Sequence, residues 1–373
     1  MVVSMVTTVR EWLAVVSDTI NSQNIEVSVG MFVQSLSSIS ELEMQYTVNI
    51  YFRLSWIDPR LIYNHTAEYL SVDAFWMTKL WLPDPYFINS KEEHFHTVTV
   101  PNILLRVYPD GMIMYSQRLS LTLACNMELS QFPMDTQVCD IQIMSYAFTT
   151  EDIVLKWMDV DMNEDVELPE FDVSKHMEKG DCTEVHVTGN VTGTFSCLIG
   201  KFTLTRRLSY YMVQTYVPSI LIVVLSWVNF WLDANATPAR VSLGLLCVLT
   251  MTTQNSGIIS TLPRVSYVKS IDVWSSACLV FVFGALVEFA FVNVQSRKKE
   301  VLDRKLTAKG RAHRSIMTLA SAAVDRDVED PEKASRCSRH ALLLTAERID
   351  FVSRIIFPFT FLIFNLIYWQ YYL

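Results

Sequence analysis

Along residues 47–54 (TVNIYFRL), apolar Val48, Ile50, Phe52 and Leu54 alternate with Thr47, Asn49, Tyr51 and Arg53, the period of a strand with one buried face. The same alternation runs through 104–108, 113–124 and 202–208, with turn signals at Pro109-Asp110-Gly111 and Thr192-Gly193. Many short strands separated by turns predict an all-β sandwich over residues 1–208, with one short amphipathic helix near its start, at 5–20. Beyond 208 the pattern changes. Residues 212–232, 240–260, 271–294 and 355–373 are long apolar runs, and the first and last carry no charge at all. A helix crosses a bilayer with about 20 such residues. The runs therefore predict a four-helix membrane bundle, with helices one to three in 209–296 and the fourth in 349–373.

The second of these runs has a finer structure. Ser242, Leu246, Leu249, Thr253, Ser256 and Ser260 recur at alternating steps of four and three, which places them on one helix face. Serine and threonine on such a face predict a water-lined stripe, the alternative being a helix interface rich in small residues. Leu249 on that stripe would form an apolar ring that closes a pore by dewetting. Pro238-Ala239-Arg240 opens the helix with an arginine and no carboxylate, so the expected charge at a pore's inner end is positive. A membrane arginine that snorkels to phosphates is the other reading.

Composition adds topology. Of 373 residues 51% are hydrophobic and 12% aromatic, which excludes a disordered or low-complexity chain. The net charge of −9 hides a split: residues 1–200 sum to −17 and the rest to +8. The basic residues crowd into 297–348, which predicts a cytoplasmic loop there and an acidic, extracellular N-terminal half. Membrane lipid is the expected surrounding; a nucleic-acid partner is not expected.

Four of the seven cysteines, Cys125, Cys139, Cys182 and Cys197, fall in that outer half. An even number in an oxidising compartment suggests two disulfides, and proximity favours 125–139 and 182–197. Asn64-His65-Thr66 and Asn190-Val191-Thr192 are glycosylation sequons on the same side. No cysteine pair has metal spacing, the histidines are scattered, and no nucleophile motif is present, so neither a metal, a cofactor nor an enzyme is expected. Charge alone suggests a cluster in which Arg206 sits between Asp135 and Glu41, with Arg264 and Lys269 after the pore helix as candidate neighbours. Glu288 inside the third run must face protein or water.

Cys125 and Cys139 enclose 13 residues and carry Phe132-Pro133-Met134-Asp135 near the second cysteine. With Trp81-Leu82-Pro83-Asp84, Trp56 and Asp58-Pro59-Arg60-Leu61, Ser226-Trp227 and Pro238-Ala239-Arg240, this set resembles the Cys-loop family of pentameric ligand-gated ion channels. The stretch 249–274 is similar to the anion-selective branch of glycine- and glutamate-gated chloride channels, and those groups share a second cysteine pair like Cys182 and Cys197. The resemblance implies a chloride channel built from this chain and four further subunits, as a homo- or heteropentamer in the plasma membrane. It implies a small-molecule agonist at subunit interfaces, glycine and glutamate being favoured. On the principal face it places Tyr86, Ser145, Tyr146, Thr192 and Phe195. On the complementary face, Tyr51 and Arg53 share one side of a strand by period two, as do Met114 and Ser116. Arg53 would fork onto a carboxylate and the aromatic rings would hold an ammonium. Three positions depart from the family pattern: Leu246 replaces a usual threonine, Met144 a glutamate, and Gln34 the second arginine of glutamate-gated channels.

Overall fold

The computed structural model describes residues 24–64, 66–73, 77, 79–188, 191–232, 236–320 and 331–372. The expected N-terminal helix and the Asn190 sequon lie outside the described residues; Asn64 is exposed. The chain divides into two compact units. Of the described residues, one unit holds those up to 128 together with 135–207, and the other holds 129–134 and those from 208 onward.

The first unit is a β-sandwich. Its strands in chain order are β1 (Ile25–Ser40), β2 (Gln45–Ile57), β3 (Leu70–Ser71), β4 (Pro85–Phe87), β5 (Ser90–Phe95), β6 (Ile103–Val107) and β7 (Met112–Ala124). They continue as β8 (Thr136–Ser145), β9 (Ile153–Met162), β10 (Phe171–Val173), β11 (Glu178–Asp181), β12 (Glu184–Thr188), β13 (Val191–Phe195) and β14 (Cys197–Arg206). The larger sheet runs β3-β6-β7-β2-β1-β9, with β5 also on β7. The smaller runs β10-β14-β8-β4, with β11 on β14, and β12–β13 form a separate hairpin. The alternation in β2 does what it predicts: Tyr46, Val48, Ile50, Phe52, Leu54 and Trp56 are all buried. Tyr46 stacks edge-on against Phe202 at 5.2 Å and Phe52 against Phe87 at 5.3 Å, so each sheet inserts rings into the other.

Two motifs acquire structural meaning here. Asp58 is buried, accepts a forked pair of 2.8 Å bonds from Arg60, and caps the short 3₁₀ turn 59–61 through Arg60 N. Gly111 closes the β6–β7 turn at φ +83°, where a Cβ would lie 2.6 Å from the Asp58 carbonyl. Only glycine fits both constraints.

The second unit comprises four helices: α1 (Ser209–Phe230), α2 (Thr237–Ser260), α3 (Ser270–Ala320) and α4 (Pro331–Tyr372). In α1 a five-residue π stretch, Met212–Tyr216, precedes Pro218. Proline has no N–H to give the preceding turn, so a widened turn there follows from the sequence. The basic segment 297–348 is helical in both its described parts, because it is rich in Lys, Arg, Glu and Ala and carries α3 and α4 onward.

Among the described residues, three helical segments are long and apolar enough to cross a membrane: Ser209–Phe230, Ser270–Lys298 and Arg348–Tyr372. Helix α2, inside the same helical unit, has the least apolar run of the four. Residues 252–256 (TTQNS) form an unbroken polar run that a purely lipid-facing helix would not tolerate.

An aromatic cluster holds one end of the bundle. Trp274 is fully buried, with the rings of Tyr216 and Tyr368 at 4.9 and 5.0 Å. Its indole N–H donates to Ser219 Oγ at 2.8 Å, and the Tyr216 and Tyr368 hydroxyls meet at 2.9 Å. Truncating a buried aromatic typically costs about 3–5 kcal/mol. Trp274→Ala should therefore destabilise the helical unit by that amount, read as a lowered melting temperature of the detergent-solubilised protein and less of it at the cell surface.

Candidate functional site

The register of the larger sheet assembles one candidate ligand face. Arg53 pairs with Ser116 and with Gly30, Tyr51 with Arg118 and Phe32, and Ser55 with Met114. Cross-strand partners share a sheet face, so Tyr51, Arg53, Met114 and Ser116 all point away from the core packed by Phe52 and Leu54. The sequence reading missed Arg118, although it continues the 114, 116 alternation and stands opposite Tyr51. Arg106 pairs with Met114 on β6 and adds a third guanidinium, lying 4.2 Å over the Tyr69 ring. Among the described residues none of these three arginines forms an ion pair, and the Nε atoms of Arg106 and Arg118 are buried without partners. Desolvation, and then the charge of Arg118, lower the pKa of nearby His96. The face is cationic and uncompensated.

The aromatic residues lie on the smaller sheet and its hairpin. Tyr86 on β4 and Tyr146 after β8 meet nearly perpendicular at 5.5 Å, and Tyr146 is 75% exposed. Thr192 is exposed on β13 and Phe195 half-buried at its end, across from Glu184. Met144 is buried beneath Tyr86, whose hydroxyl lies 3.8 Å from its sulfur. Ser145 stands apart from this group. It is 1% exposed, and its hydroxyl donates to Asp84 Oδ1 at 2.9 Å while Ala147 N donates to Asp84 Oδ2 at 2.6 Å. Ser145 and Asp84 together fix the loop that presents Tyr146, so the serine positions rather than offers a free hydroxyl. The disulfides are Cys125–Cys139 and Cys182–Cys197, the latter closing the base of the β12–β13 hairpin.

In the helical unit, Ser242, Leu246, Leu249, Thr253, Ser256 and Ser260 are all exposed on α2, with Leu246 at 57% and Leu249 at 60%. The opposite face, with Gly244, Cys247 and Met251, is buried. Pro238 and Ala239 are exposed at the N-terminus. Arg240 is not: it is fully buried and its guanidinium reaches Asp350 of α4 at 3.2 Å and the Leu232 carbonyl. This corrects the reading of Arg240 as a free charge at a pore mouth, and equally the snorkelling reading. A guanidinium inside an apolar bundle needs a carboxylate, and Asp350 supplies it.

Residues 14–208 match the family model of the neurotransmitter-gated ion-channel ligand binding domain, and residues 215–335 that of the neurotransmitter-gated ion-channel transmembrane region. The chain belongs to the neurotransmitter-gated ion-channel family. Its β-sandwich is accordingly the extracellular ligand-binding domain and its helices are the membrane-embedded part.

In a subunit of such a channel the disulfide loop has a physical task within the helical unit. Ser270 N donates to Ser130 O at 2.9 Å and Ile271 N to Phe132 O at 3.2 Å. The loop's carbonyls thus satisfy first-turn N–H groups that helix α3 leaves unpaired. Lys269 pairs with Asp272 at 3.2 Å within the same unit, and Arg264 is exposed.

The β unit contains the charge cluster expected from sequence. Arg206 has no exposed side-chain surface and bonds Asp135 at 2.7 Å and Glu41 at 2.5 Å, with its guanidinium 4.5 Å over Phe171. Burial alone would lower its pKa, but the bonds and charges of Asp135 and then Glu41 outweigh that and raise it. Breaking a buried pair typically costs about 3–5 kcal/mol, because the remaining charges are stranded. Arg206→Gln should lower the stability of the ligand-binding domain by that amount, measurable as loss of folded protein at the surface. Removing the 125–139 disulfide by the double Cys→Ser change should cost about 3 kcal/mol, and gating indistinguishable from the parent would contradict the capping role of its loop.

Proposed function

We propose that this chain is one of five subunits of a chloride-conducting channel of the plasma membrane, opened by a small amino acid or amine bound between subunits. The observation that carries the anion preference is the start of α2. Thr237, Pro238 and Ala239 present a helix N-terminus with no acidic residue in its first turn. Such an end carries about half a positive charge, and five converging on one axis favour anions without any free arginine. Along the exposed stripe there is no carboxylate either. Leu249 forms the apolar ring that closes the path.

The cationic face of the larger sheet is the complementary half of the agonist site. Arg53 forks onto a ligand carboxylate beside Ser116, and Tyr86, Tyr146 and Phe195 of the adjacent subunit enclose the amine. Glycine and glutamate are the favoured agonists. Arg118 in the same face fits an acidic ligand as well as a neutral one. With Met144 buried under Tyr86, that position brings no carboxylate to the amine, so cation–π attraction carries much of that end.

A second reading rests on Leu246. Two exposed leucines one turn apart make the stripe drier, which suits a subunit that conducts poorly alone and modulates heteromers. Expression of the chain by itself and together with a conducting relative separates the two.

The reversal potential of agonist currents should follow the chloride gradient, and Ala239→Glu should shift it toward the cation gradient by adding a carboxylate ring; a parent current tracking sodium would sink the assignment. Losing a buried charged contact costs on the order of 2–5 kcal/mol, so Arg53→Ala should raise the half-maximal glycine or glutamate concentration at least about 30-fold. An unchanged value would place the ligand elsewhere.

A further inference from the structure

Within the ligand-binding domain the chain crosses from β4 of the smaller sheet to β5 of the larger, and a cavity of about 200 Å³ lies between the sheets there. Its floor is apolar: Phe52 and Leu54 of β2, Phe87 of β4, and Leu119 and Leu121 of β7 are all buried. Its mouth is β5, whose lining residues Glu93, His94 and Phe95 are exposed. Its polar wall is Tyr115 and Gln117, which stand opposite Leu54 and Phe52 in the β2–β7 ladder and so face inward. Met114, Ser116 and Arg118 alternate with them and face outward. Strand β7 thus carries the cavity on one side and the cationic face on the other.

Gln117 interrupts an apolar series. It follows Ile113 and Tyr115 and precedes Leu119 and Leu121 at the inward positions of β7, where an amide is costly unless it is hydrogen-bonded. Its Oε1 accepts from the Tyr115 hydroxyl at 2.6 Å, and among the described residues its amide nitrogen has no partner. The mouth is acidic. Among the described residues Glu93 forms no ion pair, and Lys91 on the same strand gives its ammonium to the Glu43 carbonyl and to Gln45 instead. Five aromatic rings, those of Phe52, Tyr86, Phe87, Phe95 and Tyr115, line the space, and the faces of such rings attract cations. A cavity of roughly 150 Å³ takes up benzene, so this one has room for a single aromatic ring with a short tail.

We infer that this cavity is a second ligand site, for a small aromatic amine, and that its occupant acts on agonist binding through Tyr86. The ring of such a ligand lies among Phe52, Phe87 and Leu119, and its ammonium meets Glu93 at the mouth. An anion of the same shape is refused by that carboxylate. Tyr86 lines the cavity and also meets Tyr146 at 5.5 Å in the aromatic group of the principal face. An occupant therefore holds one wall of the agonist's amine site in place, which lowers the ordering that the agonist must supply. This coupling rests on the agonist site proposed above; the binding of the amine does not.

Calorimetric titration of the intact channel, purified in detergent, with 2-phenylethylamine tests the site. Saturable binding is expected, and phenylacetate, the same ring with the opposite charge, should give none. Gln117→Trp puts an indole into the space and should abolish binding, whereas Tyr146→Ala, which disturbs the agonist site alone, should keep it. Glu93→Gln should weaken binding about five-fold; its exposed position keeps the test decisive should Gln117→Trp not assemble. No binding by the parent, full binding by Gln117→Trp, unchanged affinity in Glu93→Gln, equal binding of phenylacetate, or loss in Tyr146→Ala would each overturn the proposal. Agonist currents read the coupling: 2-phenylethylamine should lower the half-maximal glycine or glutamate concentration at least about five-fold in the parent and not in Gln117→Trp. No shift beside intact calorimetric binding would overturn the link through Tyr86. Failure of both agonists to open the channel would fall on the agonist reading, and the calorimetry then decides the site alone.

Discussion

Inside a bilayer a polar side chain must meet protein, water or another charge, and this constraint orders the helical half of the chain. It explains why α2, with its run of Thr252, Thr253, Gln254, Asn255 and Ser256, cannot be a lipid-facing span. The helix buries Gly244, Cys247 and Met251 against its own subunit and leaves the hydroxyl stripe outward. It explains equally why Arg240 turns inward to Asp350, since one carboxylate in α4 removes the need for lipid phosphate.

The extracellular half obeys the complementary rule, because there an unpaired charge can wait for a ligand. Arg206 is saturated by Asp135 and Glu41 and is structural. Arg53 and Arg118 form no ion pair among the described residues, which leaves their charge open on the outer sheet face. Two arginine populations in one domain thus separate by their partners: those already neutralised hold the fold, and those left open are available to an anion.

Much of this was legible before any coordinate. Period two in 47–54 and 113–124 located the central strands because those residues have one face in the core and one out. The step of four and three in α2 found the exposed stripe, and the Asp135–Arg206–Glu41 cluster followed from charge. Other features needed the third dimension. The partner of Arg240 lies 110 residues away in α4, and sequence distance carries no trace of that pairing. The Ser145–Asp84 contact was hidden similarly, since a serine beside an aromatic reads as a ligand group until its hydroxyl is seen to be spoken for. Arg118 was within reach of the alternation argument; its register opposite Tyr51 made it visible.

The β12–β13 hairpin belongs to neither sheet. Its ladder, Glu184–Phe195 to Thr188–Val191, is internal, and Cys182–Cys197 fastens its base. Among the described backbone groups, Thr150 N to Thr194 O at 2.8 Å joins it to the rest of the sandwich. Such a bond is worth about 1 kcal/mol net. Moving the hairpin as a stiff lever therefore breaks no rung of either sheet.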